Sequence, residues 1–113
     1  MHEISLAGGI LQMVEQAQAR EPFDRVIYLR LEAGALCGVD VSALRFALEA
    51  MSPGTCLQAA TIDIDEPAAA ANCPQCGQCV AIRSRLDPCP HCGSYPLQAT
   101  GGTELRVMDL RVV

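Results

Sequence analysis

The sequence predicts an α+β fold, in which a small (β)αβαβ layer places two helices on a short sheet and a cysteine-rich domain adds to it. Two segments carry apolar residues at helical spacing, and three others alternate apolar with polar residues as half-buried strands do. Five of the seven cysteines fall between Cys73 and Gly102, where loop-forming residues dominate. These three observations separate a layered part of the chain from a ribbon-like part.

The first two elements of the layer are expected to be a helix and a strand. The helix should run from Ser5, which can serve as its N-cap, to about Arg20, with Pro22 marking its end. A strand should follow over residues 25–32, with Ile27, Leu29 and Leu31 on one face. The apolar face of the helix is expected to consist of Leu6, Ile10, Met13, Val14 and Ala17.

The layer continues with a second helix and two more strands. Asp40 or Ser42 can cap this helix, which should end near Met51 before a Ser-Pro-Gly breaker. A strand over residues 61–65 and an alternating segment over residues 103–113 complete the pattern.

The cysteine-rich part is then interpreted as an insertion into the α+β layer. Residues 66–72 change the composition abruptly and are interpreted as a short linker, and the last strand is expected to return to the first sheet. The predicted domains are therefore residues 1–66 together with 103–113, and residues 67–102.

Composition excludes several classes of function. The chain has 113 residues, of which 50% are apolar and 4% aromatic, so its core must be aliphatic. Eight arginines, no lysine and thirteen acidic residues give a formal charge of −5, too few cations for a nucleic-acid-binding face. No apolar run approaches the roughly 18 residues that span a bilayer, and the first residues lack a secretory signal pattern. We therefore expect a cytoplasmic protein without a membrane or nucleic-acid partner.

The motif C-P-x-C-G occurs twice in the cysteine-rich part. Two cysteines at i and i+3 in a tight turn can point both sulfurs at one ion, and the following glycine permits the positive φ of such a knuckle. Two knuckles complete a tetrahedral site, for which structural Zn(II) is the favoured occupant; rubredoxin-like iron and a thiol–disulfide motif are the alternatives. The predicted zinc ligands are Cys73, Cys76, Cys89 and Cys92. This part of the fold is therefore predicted to be a zinc-ribbon-like domain with a four-cysteine site.

The remaining thiols and the knuckle histidine have simpler interpretations. Cys37 and Cys56 are interpreted as small buried apolar residues. Cys79 forms a C-x-x-C-x-x-C run with the first knuckle and could replace a ligand, although the repeated motif favours Cys76. His91 inside the second knuckle is expected to face solvent.

The start of the chain offers a second kind of metal site. A side chain as large as that of His2 should block removal of the initiator methionine, which leaves the α-amine of Met1 beside the imidazole. The amine, the His2 amide nitrogen and the imidazole can form fused chelate rings, and three in-plane nitrogens suit square-planar Ni(II) or Cu(II) rather than Zn(II). The fourth position must come from Glu3, a carboxylate such as Asp40, water or a partner.

These features together resemble one family. Met-His-Glu at the start, the helix after it, Gly38-Val39-Asp40, the Leu-Arg-Phe-Ala segment at residues 44–47 and the paired knuckles are similar to the HypA/HybF family of nickel metallochaperones. The resemblance implies nickel binding through His2, with Glu3 and Asp40 near the site, and structural zinc on the four knuckle cysteines. It also implies two partners: a nickel-handling GTPase of the hydrogenase maturation system and the large subunit of [NiFe]-hydrogenase. Some members also serve urease.

Three functions are then in competition. The favoured one is a binding protein, not an enzyme, that holds Ni(II) transiently and delivers it for maturation of [NiFe]-hydrogenase. The second is a zinc-ribbon protein-interaction module with no nickel role. The third is a thiol enzyme that uses Cys79 or Cys37. Metal stoichiometry separates them: one tightly held zinc with one exchangeable nickel, zinc alone, or activity lost on alkylation without loss of metal. The chain contains no P-loop, so any GTP hydrolysis must come from the partner.

Overall fold

A computed structural model describes residues 2–113 and confirms the α+β class. The chain divides into two compact units. The first consists of Met1–Leu31, Val39–Ile64 and Val107–Val113, and the second of Glu32–Gly38 and Asp65–Arg106. The elements in chain order are α1 His2–Arg20, β1 Val26–Ala33, α2 Val41–Met51, β2 Thr61–Asp65, β3 Ala69–Asn72, β4 Cys79–Ile82, β5 Gln98–Ala99 and β6 Leu105–Val112. Neither described helix is long and apolar enough to cross a membrane.

One sheet has the strand order β2-β1-β6. The carbonyl of Val113 accepts from the N–H of Asp24 at 2.7 Å, and the N–H of Val113 donates to the carbonyl of Arg25 at 3.0 Å. The end of β6 therefore lies against the start of β1, which makes the two strands antiparallel. The predicted return of the last strand to the first sheet is confirmed.

The two helices of the first unit pack against each other. Asp40 is the N-cap of α2, and its Oδ1 accepts from the backbone N–H of Ala43 at 3.1 Å. This confirms one of the two predicted caps. The prediction that α1 begins at Ser5 is wrong, because the helix already begins at His2. The buried residues of the two helices are Ala7, Ile10, Val14, Leu44, Ala47 and Leu48.

Two predictions about individual side chains are also wrong. Met13 is 51% exposed, because Ala7, Ile10 and Val14 take the buried positions of α1. Ile27 is exposed, because Val26 takes the buried position at the start of β1 and the inward alternation resumes only at Leu29. The N–H of Val26 donates to the carbonyl of Cys56 rather than to a strand, so the start of β1 follows the loop after α2.

The second unit contains an antiparallel sheet of order β4-β3-β5. Ala69 pairs with Ile82 and Asn72 with Cys79, while Ala71 pairs with Ala99 on the other side of β3. The interpretation of residues 66–72 as a linker is therefore wrong: the central strand of this sheet lies there. Its core is small and includes two cysteines; the buried residues are Ala69, Ala71, Cys73, Val80, Ile82 and Cys89.

A close approach of three backbone segments requires small residues at the start of β3. Gly102 has φ +78, and a Cβ at that position would collide with the Cβ of Ala69. A Cβ on Gly34 would collide with the carbonyl oxygen of Gly102. Only very small residues fit where these three segments approach one another.

Candidate metal centres

The two knuckles of the second unit have the same backbone geometry. In the first, the N–H of Gly77 donates to the Cys73 carbonyl at 2.9 Å and the N–H of Cys73 to the Gln78 carbonyl at 3.0 Å. The second repeats both bonds between Gly93 and Cys89 at 2.8 Å and between Cys89 and Ser94 at 2.9 Å. Both glycines have positive φ, +73 and +77, as the motif predicts.

This geometry brings the four predicted zinc ligands together. The Sγ atoms of Cys73, Cys76, Cys89 and Cys92 all lie within 4.8 Å of one another. Cys73 and Cys92 are separated by 3.5 Å between sulfurs, and Cys76 and Cys89 by 3.7 Å. A tetrahedral centre of one zinc and four sulfurs, with Zn–S bonds of about 2.3 Å, has sulfurs about 3.8 Å apart, so four thiolates at these distances fit Zn(II). The sulfurs are too far apart for a disulfide, whose bond is about 2.05 Å.

Two thiols of this group, those of Cys92 and Cys76, have their pKa values shifted in opposite directions. The Ser94 hydroxyl and backbone N–H, with the neighbouring Cys73 thiol, lower the pKa of Cys92 to about 6. The backbone N–H of Gln78 lowers the pKa of Cys76, but burial and the three neighbouring thiols outweigh it and raise that pKa to about 12. Repulsion between adjacent thiolates opposes full ionisation, and a bound dication removes that repulsion. Four cysteines at these distances are therefore more favourable as thiolates around a divalent metal than as a cluster without a metal.

The other thiols stay outside this group. Cys79 is exposed, and Cys37 and Cys56 are half-buried rather than fully buried as expected. Burial and the charge of Glu15 raise the pKa of Cys56. His91 is exposed, which agrees with its expected orientation toward solvent.

Ser94 is a residue that the sequence interpretation missed. Its Oγ lies 3.2 Å from the Sγ of Cys92, within hydrogen-bonding distance. A hydroxyl two residues after the last cysteine of the second knuckle is the only sequence signal that could have indicated it.

The start of α1 lies beside the N-cap of α2. The backbone N–H of Asp40 donates to Oε2 of Glu3 at 3.2 Å, which joins two residues that are 37 positions apart. His2, the preceding residue, is exposed on the first turn of α1, while Met1 lies outside the described residues. Three of the four residues named for nickel are thus neighbours in the structure or along the chain.

Glu3 is held in its charged form. The backbone N–H of Asp40 is the main cause that lowers the pKa of Glu3, and its own backbone N–H and the adjacent His2 act in the same direction. A carboxylate on the first turn of a helix also offsets the positive end of the helix dipole. Glu3 and Asp40 thereby give this corner of the first unit anionic oxygen atoms that can attract a cation.

Comparison with known proteins bears directly on both centres. A family model described as "Hydrogenase/urease nickel incorporation, metallochaperone, hypA" matches residues 1–112. The chain belongs to the HypA family. This confirms the family resemblance drawn from the Met-His-Glu start and the paired knuckles. It also supports the coarser functional statement that the chain is a nickel-incorporation metallochaperone of hydrogenase maturation.

Relatives with this family name match along nearly the whole chain. The hydrogenase maturation factor HypA of Cupriavidus necator H16 is 62% identical over 112 residues, which cover 99% of this chain and 94% of that protein. The HypA of Polaromonas naphthalenivorans CJ2 is 58% identical over 112 residues, 99% of this chain and 97% of its own length. Similarity of this extent covers both knuckles and the start of α1.

Solved structures share the fold. The solution structure of the Ni metallochaperone HypA from Helicobacter pylori has a TM-score of 0.67 and 18% sequence identity, over 98% of this chain and 97% of that one. A second solution structure of a HypA protein has a TM-score of 0.69 and 22% identity, over 100% and 97% of the two chains. At this identity the likeness supports the arrangement of helices and strands alone.

Proposed function

We propose that this protein binds Ni(II) at its N-terminus through His2 and delivers it for maturation of [NiFe]-hydrogenase. Met1, Glu3 and Asp40 contribute to the nickel site, and Cys73, Cys76, Cys89 and Cys92 hold one structural Zn(II). The partners are a nickel-handling GTPase of the maturation system and the hydrogenase large subunit, and the protein works in the cytoplasm as a carrier rather than as an enzyme. The nickel site belongs to residues 1–66 with 103–113, and the zinc site to residues 67–102.

The contact between Glu3 and Asp40 is the observation that carries this proposal. It ties the first turn of α1 to the cap of α2, so that Asp40 is in contact with the residue that follows His2. Oε2 of Glu3 accepts from the backbone N–H of Asp40, and Oδ1 of Asp40 accepts from that of Ala43, so backbone groups orient both carboxylates where the two helices meet.

The position of His2 suits a carrier. Its amide belongs to the first turn of α1, where backbone N–H groups have no acceptor within the helix, so that it can lose its proton to a metal without breaking a helical bond. The positive end of the helix dipole weakens cation binding, and the anionic Glu3 offsets it. This balance favours moderate affinity, and the exposure of His2 leaves the ion accessible to an acceptor.

Zinc has a different task in the proposal. Cys73 and Cys89 belong to the small core of the second unit, and the rest of that core is mostly alanine, valine and isoleucine. So few large apolar side chains give little stability, and a metal that joins the two knuckles supplies the remainder. All four positions of the tetrahedron are filled by sulfur, as in structural rather than catalytic zinc sites.

The test is a nickel titration of the untagged protein together with metal analysis. The native chain should hold one zinc after dialysis and bind one exchangeable nickel, with the visible d–d band of a square-planar site. His2→Ala should lose specific nickel binding and keep zinc. A multi-residue extension before Met1 should lower nickel affinity by orders of magnitude, since the amine can no longer close the chelate ring.

A one-residue extension is the control for the long extension. A one-residue extension places the histidine third, where the amine, two amides and the imidazole can supply four planar ligands, so nickel should bind at least as tightly as to the native chain. If the chain with the long extension bound nickel as tightly as the native chain, the α-amine would be excluded as a ligand. A native chain that holds zinc alone would overturn the nickel proposal and leave an interaction module.

A further inference from the structure

An apolar groove runs along α2 beside the start of α1, within the first unit. Its volume is about 390 Å³. Five positions of α2 at helical spacing contribute to it, so the groove follows one face of that helix. The apolar residues that line it are Ile4, Ala43, Phe46, Ala47, Ala50 and Met51.

Two large side chains of the groove are open to water. Phe46 is 73% exposed and Ile4 is 47% exposed. The three alanines of α2 leave space between these side chains, and such a space can accept the apolar side chain of another molecule. Removing an aromatic ring and its apolar surroundings from water is favourable, and pockets beside exposed aromatic residues are typical centres of protein interfaces.

The charged residues at the groove and next to it on α2 are acidic, apart from Arg45. Glu3 lines the groove and accepts from the N–H of Asp40. Glu49 is exposed on α2 three residues after Phe46, a spacing that makes the two side chains neighbours on the helix surface. The only arginine on α2, Arg45, is directed elsewhere, since its guanidinium donates to the carbonyl of Ile62. The groove thus combines an apolar floor with negative charge at its edges.

These charges select among possible occupants. In a symmetric pair of two copies of this chain, the same acidic border would face itself, and like charges across an interface disfavour association. A partner with lysine or arginine beside its apolar residues would be attracted, and the formal charge of −5 on this chain adds to that attraction. A groove along one helix face is suited to an amphipathic helix.

We propose that this groove docks an amphipathic helix of a partner protein, whose leucine-sized side chains fill the space around Phe46 and whose basic residues pair with Glu3 and Glu49. The groove begins at the residue next to His2, so a docked partner would be close to the nickel site. Its role in nickel transfer rests on the proposed function, whereas the docking itself does not.

The test is titration of the ¹⁵N-labelled, zinc-loaded protein with three synthetic 18-residue peptides. The first carries leucine at i, i+3, i+4 and i+7 with lysine elsewhere, the second has glutamate in place of lysine, and the third has the composition of the first in scrambled order. We expect the first peptide to shift the amide signals of Ile4, Phe46 and Ala47, and the other two to bind at least tenfold more weakly. Raised salt should weaken binding of the first peptide.

Matched variants locate the binding surface. Phe46→Ala should weaken binding of the first peptide at least tenfold, and Glu49→Gln should weaken it and reduce its salt dependence. Leu86→Ala is the control, because Leu86 is 75% exposed but lies in the second unit. Nickel affinity of Phe46→Ala should be unchanged.

Several outcomes would overturn the docking proposal. They are the absence of peptide binding, equal binding by Phe46→Ala, equal binding of the three peptides, and shifts confined to other residues. Sedimentation that shows a dimer of the native chain, lost in Phe46→Ala, would assign the groove to a second copy instead. If the native chain failed to bind nickel while the lysine peptide still required Phe46, the docking surface would stand and the proposed function would fall.

Discussion

Ser94 lies next to a zinc ligand without being one. Its Oγ is 3.2 Å from the Sγ of Cys92 and is the main cause that lowers the pKa of that thiol. A thiol with a lowered pKa is already ionised in more of the molecules, so metal binding has to displace fewer protons from it. The hydroxyl should therefore contribute to zinc affinity through the sulfur that it touches.

We expect Ser94→Ala to weaken zinc binding by about 10–100-fold, the range typical of groups that support a metal ligand. The measurement is competition with a chromophoric chelator at pH 7. Ser84→Ala is the matched control: Ser84 belongs to the same unit, but its hydroxyl accepts from the backbone N–H of Leu86. Equal zinc affinities of the two variants would contradict this role.

At the scale of residues, the spacing of the cysteines predicts the four-cysteine cluster because each pair of ligands lies within one short segment. Each C-P-x-C-G segment folds its own knuckle, and Gly77 and Gly93 adopt the positive φ that the motif requires. The contact between Glu3 and Asp40 is not local, since 37 positions separate them. Asp40 could be recognised as a helix cap, but its proximity to the start of the chain follows only from how α1 and α2 pack.

At the scale of elements, Asp40 has two tasks that a pair of substitutions can separate. Its carboxylate caps α2 and is also proposed to attract nickel. Asp40→Asn keeps a good cap and removes the charge, whereas Asp40→Ala removes both. The backbone N–H that holds Glu3 is present in both variants.

We expect Asp40→Ala to lower the free energy of unfolding by about 1 kcal/mol, while Asp40→Asn changes it by only a few tenths. Thermal unfolding followed by circular dichroism measures this difference. Both variants should weaken nickel binding by about tenfold or more, because both lose the negative charge. If Asp40→Asn bound nickel like the native chain, Asp40 would act as a cap alone.

Strand β3 is a secondary-structure element that the sequence pattern alone does not predict. Alanine has low strand propensity, so residues 66–72 resemble a linker. What makes Ala69–Asn72 a strand is pairing with Cys79–Ile82 on one side and with Gln98–Ala99 on the other. Strands β1, β2 and β6 were predictable because their longer alternating patterns carry the signal within the segment itself.

At the scale of the whole molecule, the two units draw their stability from different sources. The first has two helices with a buried aliphatic face on each, and the second has a core of small side chains with Cys73 and Cys89 in it. Loss of zinc should therefore affect the second unit far more than the first.

We expect Cys76→Ser to release zinc and to unfold the region around the knuckles, with the helices retained. Both described helices lie in the first unit, so the helical circular-dichroism signal reports on that unit and the dispersion of amide signals from residues 65–106 on the other. Cys79→Ser alone should keep zinc, because Cys79 lies outside the four-sulfur group. The double variant excludes replacement of the ligand by Cys79. A full zinc equivalent in the double variant would contradict the assignment.

Acid should separate the two metals. Nickel requires a neutral imidazole, so acid should weaken nickel binding by protonating the nitrogen ligands. The lowered pKa of Glu3 keeps that carboxylate ionised to lower pH than an ordinary glutamate, so protonation of Glu3 is not the first event. Zinc should remain bound to lower pH, because protons must displace it from four thiolates that surround it. Metal analysis after dialysis at each pH measures both losses, and a common pH of release would contradict two independent sites.

The slope of the nickel titration carries further information, since it counts the protons that nickel displaces. Nickel held by the imidazole and carboxylates displaces at most one nitrogen-bound proton, so its affinity should rise with pH and then become constant once the imidazole is neutral. A chelate that includes the amide and the α-amine displaces further protons, so the affinity should keep rising after the imidazole is neutral. We expect the second form. An affinity that becomes constant at neutral pH would exclude the amine and amide nitrogens and leave His2 with Glu3 and Asp40 as the ligands.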